Sequence, residues 1–580
     1  MGRTWLRPRA LNNINMLKKI SIKTKRLFIA IGLILLGGIA GISLVSFDDN
    51  KDFELTKNLD IYYNLIKNLN TLYVDNIEPG KLIQTSIDEM LKSLDPYTVY
   101  IPESKMEDFK FMTTGEYGGL GASIKDFDGK MIIAEVYENF PAQKSGIVPG
   151  DIIVAIDGKN VEGKTTDQVS ELLKGQSGTS IMLRVKKPLT NSLVEKKITR
   201  EQIKIESVPY YSMIDKEIGY MVLTGFTENS GEEVKKALLT LKGKGAKSII
   251  FDLRDNPGGL LMESIKICNL FVPKGREIVS TKGKYSMHNA NYITTDLPID
   301  TTIAIAVLVS NGSASASEIV SGSLQDLDRA VIIGNRTYGK GLVQTTCDLT
   351  YNTKLKVTTA KYYIPSGRCI QALDYSHRNK DGSVGKIPDS LLTEFKTKNG
   401  RSVFDGGGIL PDIETKEEDA ASVVIELIEK NIIFDYVTKY CASHKTIDSV
   451  EHFEMSNYDY EDFINFAKSK HFDFETETDS KIKTLEDEAK KENYFNSVKS
   501  EIDALKRKIA LEKNNDYSKH KDQIKEIIEL EIVSRYFYQK GRIRYDIGHS
   551  REVKKAIEIL RNKSRYQAIL SGKEGTHLKK

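Results

Sequence analysis

Apolar and polar positions divide the chain into stretches of different period. Residues 27–47 carry no charge and are long enough to cross the roughly 30 Å hydrocarbon core of a bilayer. Over residues 53–114, Leu82, Ile83, Ile87, Met90, Leu91 and Leu94 recur at helix-face spacing until Asp95-Pro96 stops the run, which predicts a helical segment with one buried face. Residues 115–188 read as a small β-rich unit with one short helix, marked by Val169, Leu172 and Leu173. Beyond it, residues 219–226, 248–253, 303–309, 330–334 and 354–364 are strand-like and alternate with helical stretches, the pattern of an α/β core. Residues 416–580 are charge-rich and largely helical, with Ile524, Ile528, Ile532 and Tyr536 in an i, i+4 stripe. That tail is expected to fold against itself or a partner, and nothing in it specifies chemistry.

Composition narrows the classes. A chain of 580 residues holds several domains, because single cores rarely grow past about 250–300 residues. The net charge of +4 is near balance for this length, so no nucleic-acid partner is expected. Lys18, Lys19, Lys23, Lys25 and Arg26 precede the apolar run, and Asp48, Asp49 and Asp52 follow it. The positive-inside rule then predicts a cytoplasmic N-terminus over 1–26, a signal anchor over 27–47 and the bulk of the chain in the periplasm of a bacterial inner membrane. A cleaved signal peptide is the rival, but no small-x-small site follows the run. Met16 is an alternative start. Cys268, Cys347, Cys369 and Cys441 are scattered without a Cys-x-x-Cys pair, which argues against a disulfide framework. The eight histidines form no zinc-like spacing, so neither a metal nor another cofactor is expected.

The candidate chemistry lies in two runs. Residues 303–309 are an uninterrupted apolar strand, followed by Ser313-Ala314-Ser315-Ala316-Ser317-Glu318-Ile319. A strand-turn-helix junction can hold a hydroxyl at a helix N-terminus, where free N–H groups and the helix dipole stabilise a nearby oxyanion. Such a hydroxyl needs a base, and neither run contains histidine. Lys340 stands among Gly339, Gly341, Leu342 and Val343, a setting compatible with a neutral amine. An extended 340–344 would put Lys340 and Gln344 on one face. Asp252-Leu253-Arg254-Asp255-Asn256-Pro257-Gly258-Gly259 forms a glycine-rich turn after another strand. An ordinary strand-to-helix turn is the alternative reading.

Ser-Ala-Ser-Ala-Ser-Glu-Ile at 313–319, Tyr-Gly-Lys-Gly at 338–341 with Gln344, and the 252–259 run resemble the carboxy-terminal processing peptidases, or tail-specific proteases, in both motif and order. The resemblance implies an α/β, crotonase/ClpP-like catalytic core. The 25-residue interval from 315 to 340 matches the family's and selects Ser315, among Ser313, Ser315 and Ser317, as nucleophile. It implies Lys340 as base, Gln344 as the residue that orients the lysine, and backbone N–H groups of Gly258 (or Gly259) and Ala316 as oxyanion donors. Asp326 falls on an acidic position that some members need, though a structural role is at least as well motivated. Residues 115–188 resemble a PDZ domain, inserted in or preceding the core. The resemblance implies that Gly119, Leu120, Gly121 and Ala122 form the carboxylate-binding loop for a peptide's free C-terminus. Lys174 stands where relatives carry an arginine that couples peptide docking to activation; a solvated lysine is the alternative.

The expected organisation is therefore 53–114 helical, 115–188 PDZ, 189–415 peptidase core and 416–580 helical extension. The expected partners are protein or peptide C-termini and, through the N-terminal helical segment, a second copy of the chain. A catalytically silent PDZ scaffold and an acyl-CoA enzyme on the same core are the competing classes. The scaffold leaves Ser315, Lys340 and Gln344 without purpose, and the acyl-CoA reading leaves the PDZ unit unexplained.

Overall fold

The computed structural model describes residues 49–379, 383–416 and 420–574. Chain contacts separate residues 1–90 from 91–580. In the first unit, Asp49–Leu72 (α1) exposes Phe53, Ile61, Leu65 and Leu72 along one face, and Pro79–Lys92 (α2) opens on a proline, whose missing N–H costs nothing at the first helical position.

The anchor expected over 27–47 lies outside the described residues, and among the described residues no helix is long and apolar enough to cross a membrane. The single-pass inner-membrane placement, and the periplasmic location drawn from it, are accordingly withdrawn. Apolar length is only one condition for a span, which also needs a helix that satisfies its own backbone groups in lipid.

The second unit opens with Val99–Ile101 (β1) and Met106–Thr114 (α3), so a strand interrupts the stretch expected to be helical. The β-rich unit follows as Glu116–Gly119 (β2), Ala122–Phe127 (β3), Lys130–Val136 (β4), Pro141–Lys144 (α4), Ile152–Ile156 (β5), Lys159–Asn160 (β6), Thr166–Leu173 (α5), Ser180–Lys186 (β7), Leu193–Thr199 (β8) and Glu201–Lys204 (β9). Its sheet runs β3-β4-β5-β7-β8 around a core of Ile133, Ile153, Val169, Leu183 and Val185. A capping box starts α5: Gln168 N–H donates to Thr165 Oγ1 and Thr165 N–H to Gln168 Oε1.

The core sheet comprises Tyr210–Met213 (β10), Ile218–Val222 (β11), Ser248–Asp252 (β12), Ala304–Val309 (β15) and Val331–Gly334 (β16), closed by the short strand Ile413–Glu414. All its pairings are parallel except β10 with β11. A second, antiparallel sheet pairs β1, Glu277–Gly283 (β13), Ala290–Ile293 (β14), Leu342–Asp348 (β17) and Lys354–Tyr363 (β18). Because β1 pairs with β18, the β-rich unit is bracketed by core strands.

Side chains alternate across the parallel sheet. Ile249, Phe251, Ile305, Val307 and Ile332 face the helices Ser230–Gly243 (α6), Leu261–Asn269 (α7) and Ala316–Asp326 (α8). Ile250, Ala306, Leu308, Val331 and Ile333 face the other way, and residues 543–570 of the C-terminal helical region cover them. The helices of that region are Ser422–Glu429 (α9), Ile432–Ser443 (α10), Asn457–Ser469 (α11), Glu477–Lys491 (α12), Phe495–Lys519 (α13), Lys521–His549 (α14), Arg551–Arg561 (α15) and Lys563–Leu570 (α16). Ile524, Ile528 and Ile532 of α14 are buried within this helical region, while Val553, Ala556 and Ile559 of α15 lie on the catalytic sheet. The tail thus closes the second face of a three-layer α/β/α core, where fully burying a Val or Ile side chain stabilises by about 1.5–3 kcal/mol. It also reaches the β-rich unit, with Gln143 Nε2 donating to Tyr538 Oη at 2.6 Å and Arg535 to Pro149 O at 3.2 Å.

Candidate active site

Parallel neighbours deliver their C-terminal ends to one sheet edge. With Asp252 opposite Leu308, the turns after β12 and β15 lie together. Asp255 N–H donates to Ser310 Oγ at 2.9 Å, whose hydroxyl donates to Asp255 Oδ1 at 2.8 Å. Ala314 N–H and Ser317 Oγ both donate to Asn256 O.

Ser315 caps α8 with φ 56° and ψ −112°, a strained conformation for a residue with a Cβ. The three serines of the run are not equivalent. Ser313 Oγ donates to Leu253 O and accepts from Ser310 N–H, Ser317 Oγ is held by Asn256 O, and both residues are fully buried. Ser315 is partly exposed into a cavity of about 600 Å³ that Lys340, Gln344, Gly258 and Ala316 also line.

Gly258, at φ 97°, lies against the turn that holds Ser315: a Cβ there would stand 2.7 Å from Ala314 O and 2.8 Å from Ser315 Cβ. Its N–H donates to Asn256 Oδ1 at 2.9 Å. The N–H groups of Gly259 and Ala316 have no protein acceptor among the described residues.

One carboxylate joins the two motifs. Glu318, fully buried, accepts from Ser315 N–H at 2.8 Å, Thr337 Oγ1 at 2.5 Å, Gly339 N–H at 2.8 Å and Lys340 N–H at 2.9 Å. Burial pushes its pKa up, and these four donors pull against that shift. Glu318 belongs to the motif read from the sequence, but its role was missed; the Ser-x-x-Glu spacing of a capping box is the signal that marks it.

Burial, reinforced by the neighbouring Lys356, lowers the Lys340 pKa to about 8, against the opposing pull of Glu318 and Asp95. Its Nζ lies 4.1 Å from the centroid of the Tyr97 ring, and no hydrogen bond joins it to Ser315 Oγ or to Gln344. Instead Gln344 Nε2 donates to Thr358 Oγ1 at 3.2 Å. A register shift between Val343 and Gln344 breaks the even spacing that would put the two side chains on one face. Tyr97 and Lys356 thus lie beside the amine; the sequence reading has Lys356 only within the strand-like run 354–364 and leaves Tyr97 out, and no sequence signal points to either as a neighbour of Lys340.

Asp326 sits at the far end of α8, paired at 2.9 Å with the fully buried Arg368 and accepting from Ser366 N–H at 3.0 Å, a structural position away from Ser315. Gly119 ends β2, Leu120 and Gly121 form the turn, and Ala122 opens β3. Gly121 has φ 74°, and a Cβ there would meet Phe140 Cβ at 2.3 Å. Lys174, just after α5, pairs with Asp108 of α3, and Phe109, Phe111 and Met112 of the same helix line the Ser315 cavity. Among the described residues no group of His, Cys, Asp or Glu could hold a metal ion.

The model of peptidase family S41 matches residues 217–376, that of the PDZ domain residues 132–187, and that described as "Probable PDZ-protease, C-terminal helical domain" residues 423–560. A carboxy-terminal-processing protease of Bartonella bacilliformis is 35% identical over 362 residues, covering 62% of this chain and 81% of that protein. A probable CtpA-like serine protease of Staphylococcus aureus (strain COL) is 32% identical over 362 residues, covering 61% of this chain and 72% of its own. Among solved structures, a photosystem II D1 C-terminal processing protease is similar over 61% of this chain and 92% of its own, with 24% identity and a TM-score of 0.34. The family models and the two curated relatives define a serine-type peptidase with a PDZ domain. The chain belongs to peptidase family S41, among the carboxy-terminal-processing proteases.

Proposed function

We propose that the protein is a serine endopeptidase that takes protein C-terminal tails into its PDZ groove and cleaves them through a Ser315–Lys340 dyad with an acyl-enzyme intermediate. The observation that carries this reading is the contrast among three serines. Ser313 and Ser317 spend their hydroxyls on backbone carbonyls, whereas Ser315 faces the cavity that Lys340 lines.

In the proposed reaction the Lys340 amine swings from the Tyr97 ring to the Ser315 hydroxyl and takes its proton as Oγ attacks the scissile carbonyl. The Ala316 N–H and the Gly258–Gly259 turn, where the free donor is Gly259, stabilise the tetrahedral oxyanion. The Lys340 ammonium then protonates the leaving amine, and a water activated by the same amine hydrolyses the ester. Gln344 orients the amine once it turns from Thr358. Lys174, through Asp108 and α3, carries PDZ occupancy to the cavity. The names of the relatives support tail processing, and the parallel sheet with its flanking helices supports the crotonase/ClpP-like reading of the core. Self-association is proposed on the exposed apolar face of α1, to be read by sedimentation.

The test is cleavage of unfolded casein by the full chain beside Ser315→Ala and Lys340→Ala. Both variants are expected to lose activity by at least about a thousandfold. Equal, null cleavage in all three would favour the silent scaffold. Turnover of thioesters without peptide products would favour the acyl-CoA enzyme.

A further inference from the structure

The turn beside Ser315 is anchored from outside the peptidase core. Arg254 opens it, and its side chain is mostly buried. Its Nε lies 3.0 Å from both oxygens of Asp252, which also accepts from Tyr220 Oη at 2.7 Å. Nη2 is shared between Asp252 Oδ2 and Asp546 Oδ2 of the C-terminal helices, both at 2.6 Å, and Nη1 faces those helices alone, reaching Ser550 Oγ at 2.9 Å and Glu552 Oε2 at 3.3 Å. The three acceptors occupy the α14–α15 junction. That junction is held in turn, because Thr415 Oγ1 donates to Glu552 Oε1 at 2.9 Å and α15 packs on the sheet through Val553 and Ala556.

A guanidinium held by hydrogen bonds along different edges of its plane has one orientation. Its backbone leads directly into Asp255 and Asn256, and the Asn256 side chain sets Gly258 through the Gly258 N–H. We propose that Asp546, with Ser550 and Glu552, are positioning residues for the peptidase: they lock Arg254 and thereby aim the 255–259 turn at the reacting carbonyl. This rests on the reading of that turn as part of the oxyanion site. The C-terminal helical region accordingly completes the active site as well as covering the sheet, and its contribution is to the transition state rather than to substrate binding.

Casein cleavage by the full chain, with kcat and KM measured separately alongside thermal unfolding, tests the assignment. Asp546→Asn and Asp546→Ala are expected to lower kcat by about tenfold, with KM and the melting temperature little changed. Asp546→Glu restores most of the loss, and in an Arg254→Lys background the Asp546→Ala loss shrinks rather than adds. Leu427→Ala, in α9 and buried in the helical region away from the α14–α15 junction, serves as the purely structural control: it lowers the melting temperature and leaves kcat unchanged at assay temperature. Wild-type kcat in Asp546→Ala, or a loss that tracks the melting temperature as in Leu427→Ala, overturns the proposal. Cleavage retained by Ser315→Ala would instead overturn the dyad reading beneath it.

Discussion

Two joints in this molecule are built on opposite principles. Between Ser315 and Lys340, one carboxylate that water does not reach, Glu318, takes four donors from residues 315 and 337–340. Between the PDZ unit and the segment 105–114 that leads into the cavity, the polar links are two surface ion pairs, Lys105–Asp167 at 2.6 Å and Lys174–Asp108, beside the Phe111 ring packed edge-on against Tyr117. Asp167 is 72% exposed, and pairs of that kind contribute roughly 0–1 kcal/mol. A buried acceptor removed from four donors strands every one of them. The Glu318 joint is therefore made to hold one geometry, while the ion pairs of the PDZ joint can be made and broken at small cost.

The largest expected effect tests the first joint. Glu318→Ala leaves three N–H groups and a hydroxyl unpaired in the interior, and about 3–5 kcal/mol of stability is expected to go with it. Denaturant unfolding reads the loss, and casein cleavage should be abolished at temperatures where the variant is still folded. Unchanged stability would mean that the hub is not the anchor it looks like.

Next comes Gly258→Ala. The new methyl would have to share space with Ala314 O and Ser315 Cβ at a backbone angle that alanine avoids. A loss of about a hundredfold or more in kcat is expected, with KM much less affected.

The proposed role of Lys340 is tested by pH. The proposed reaction needs Lys340 neutral to accept the serine proton, so kcat/KM is expected to rise with pH through about 8 and then level. Lys356 is part of what lowers that pKa, so Lys356→Gln should move the rise to higher pH, by about half a unit. A shift to lower pH would exclude like-charge repulsion as the cause.

The smallest effect belongs to the second joint. Lys174→Ala is expected to change global stability by less than about 1 kcal/mol while altering how strongly a C-terminal peptide stimulates cleavage of a second substrate. A stability loss as large as that of Glu318→Ala would erase the contrast between the joints.

Much of the core was legible because its signals are local. Uninterrupted apolar runs such as residues 303–309 mark strands buried on both faces, and the serine, lysine and glycine-rich motifs stood in recognisable order. The same runs imply a covering layer on each side. The sequence reading nevertheless left the C-terminal tail to fold by itself or on a partner, because an amphipathic stripe says that a face is buried and not against what. The apolar run at 27–47 likewise showed sufficient length without showing a spanning helix.

Residue order and type by themselves determined the periodicities, the strand-turn-helix junction after residue 309, and the presence of a hydroxyl, an amine and flexible glycines within reach of one family's motif. Tertiary structure decided which of three neighbouring serines kept a free hydroxyl, that Glu318 ties residue 315 to residues 337–340, that the amine rests on Tyr97 beside Lys356, and that helices from the end of the chain grip Arg254. The reason is physical. Chemical type and period are written in neighbouring residues, whereas hydrogen-bond partners, desolvation and charge proximity are set by distances that exist only once remote segments have packed together.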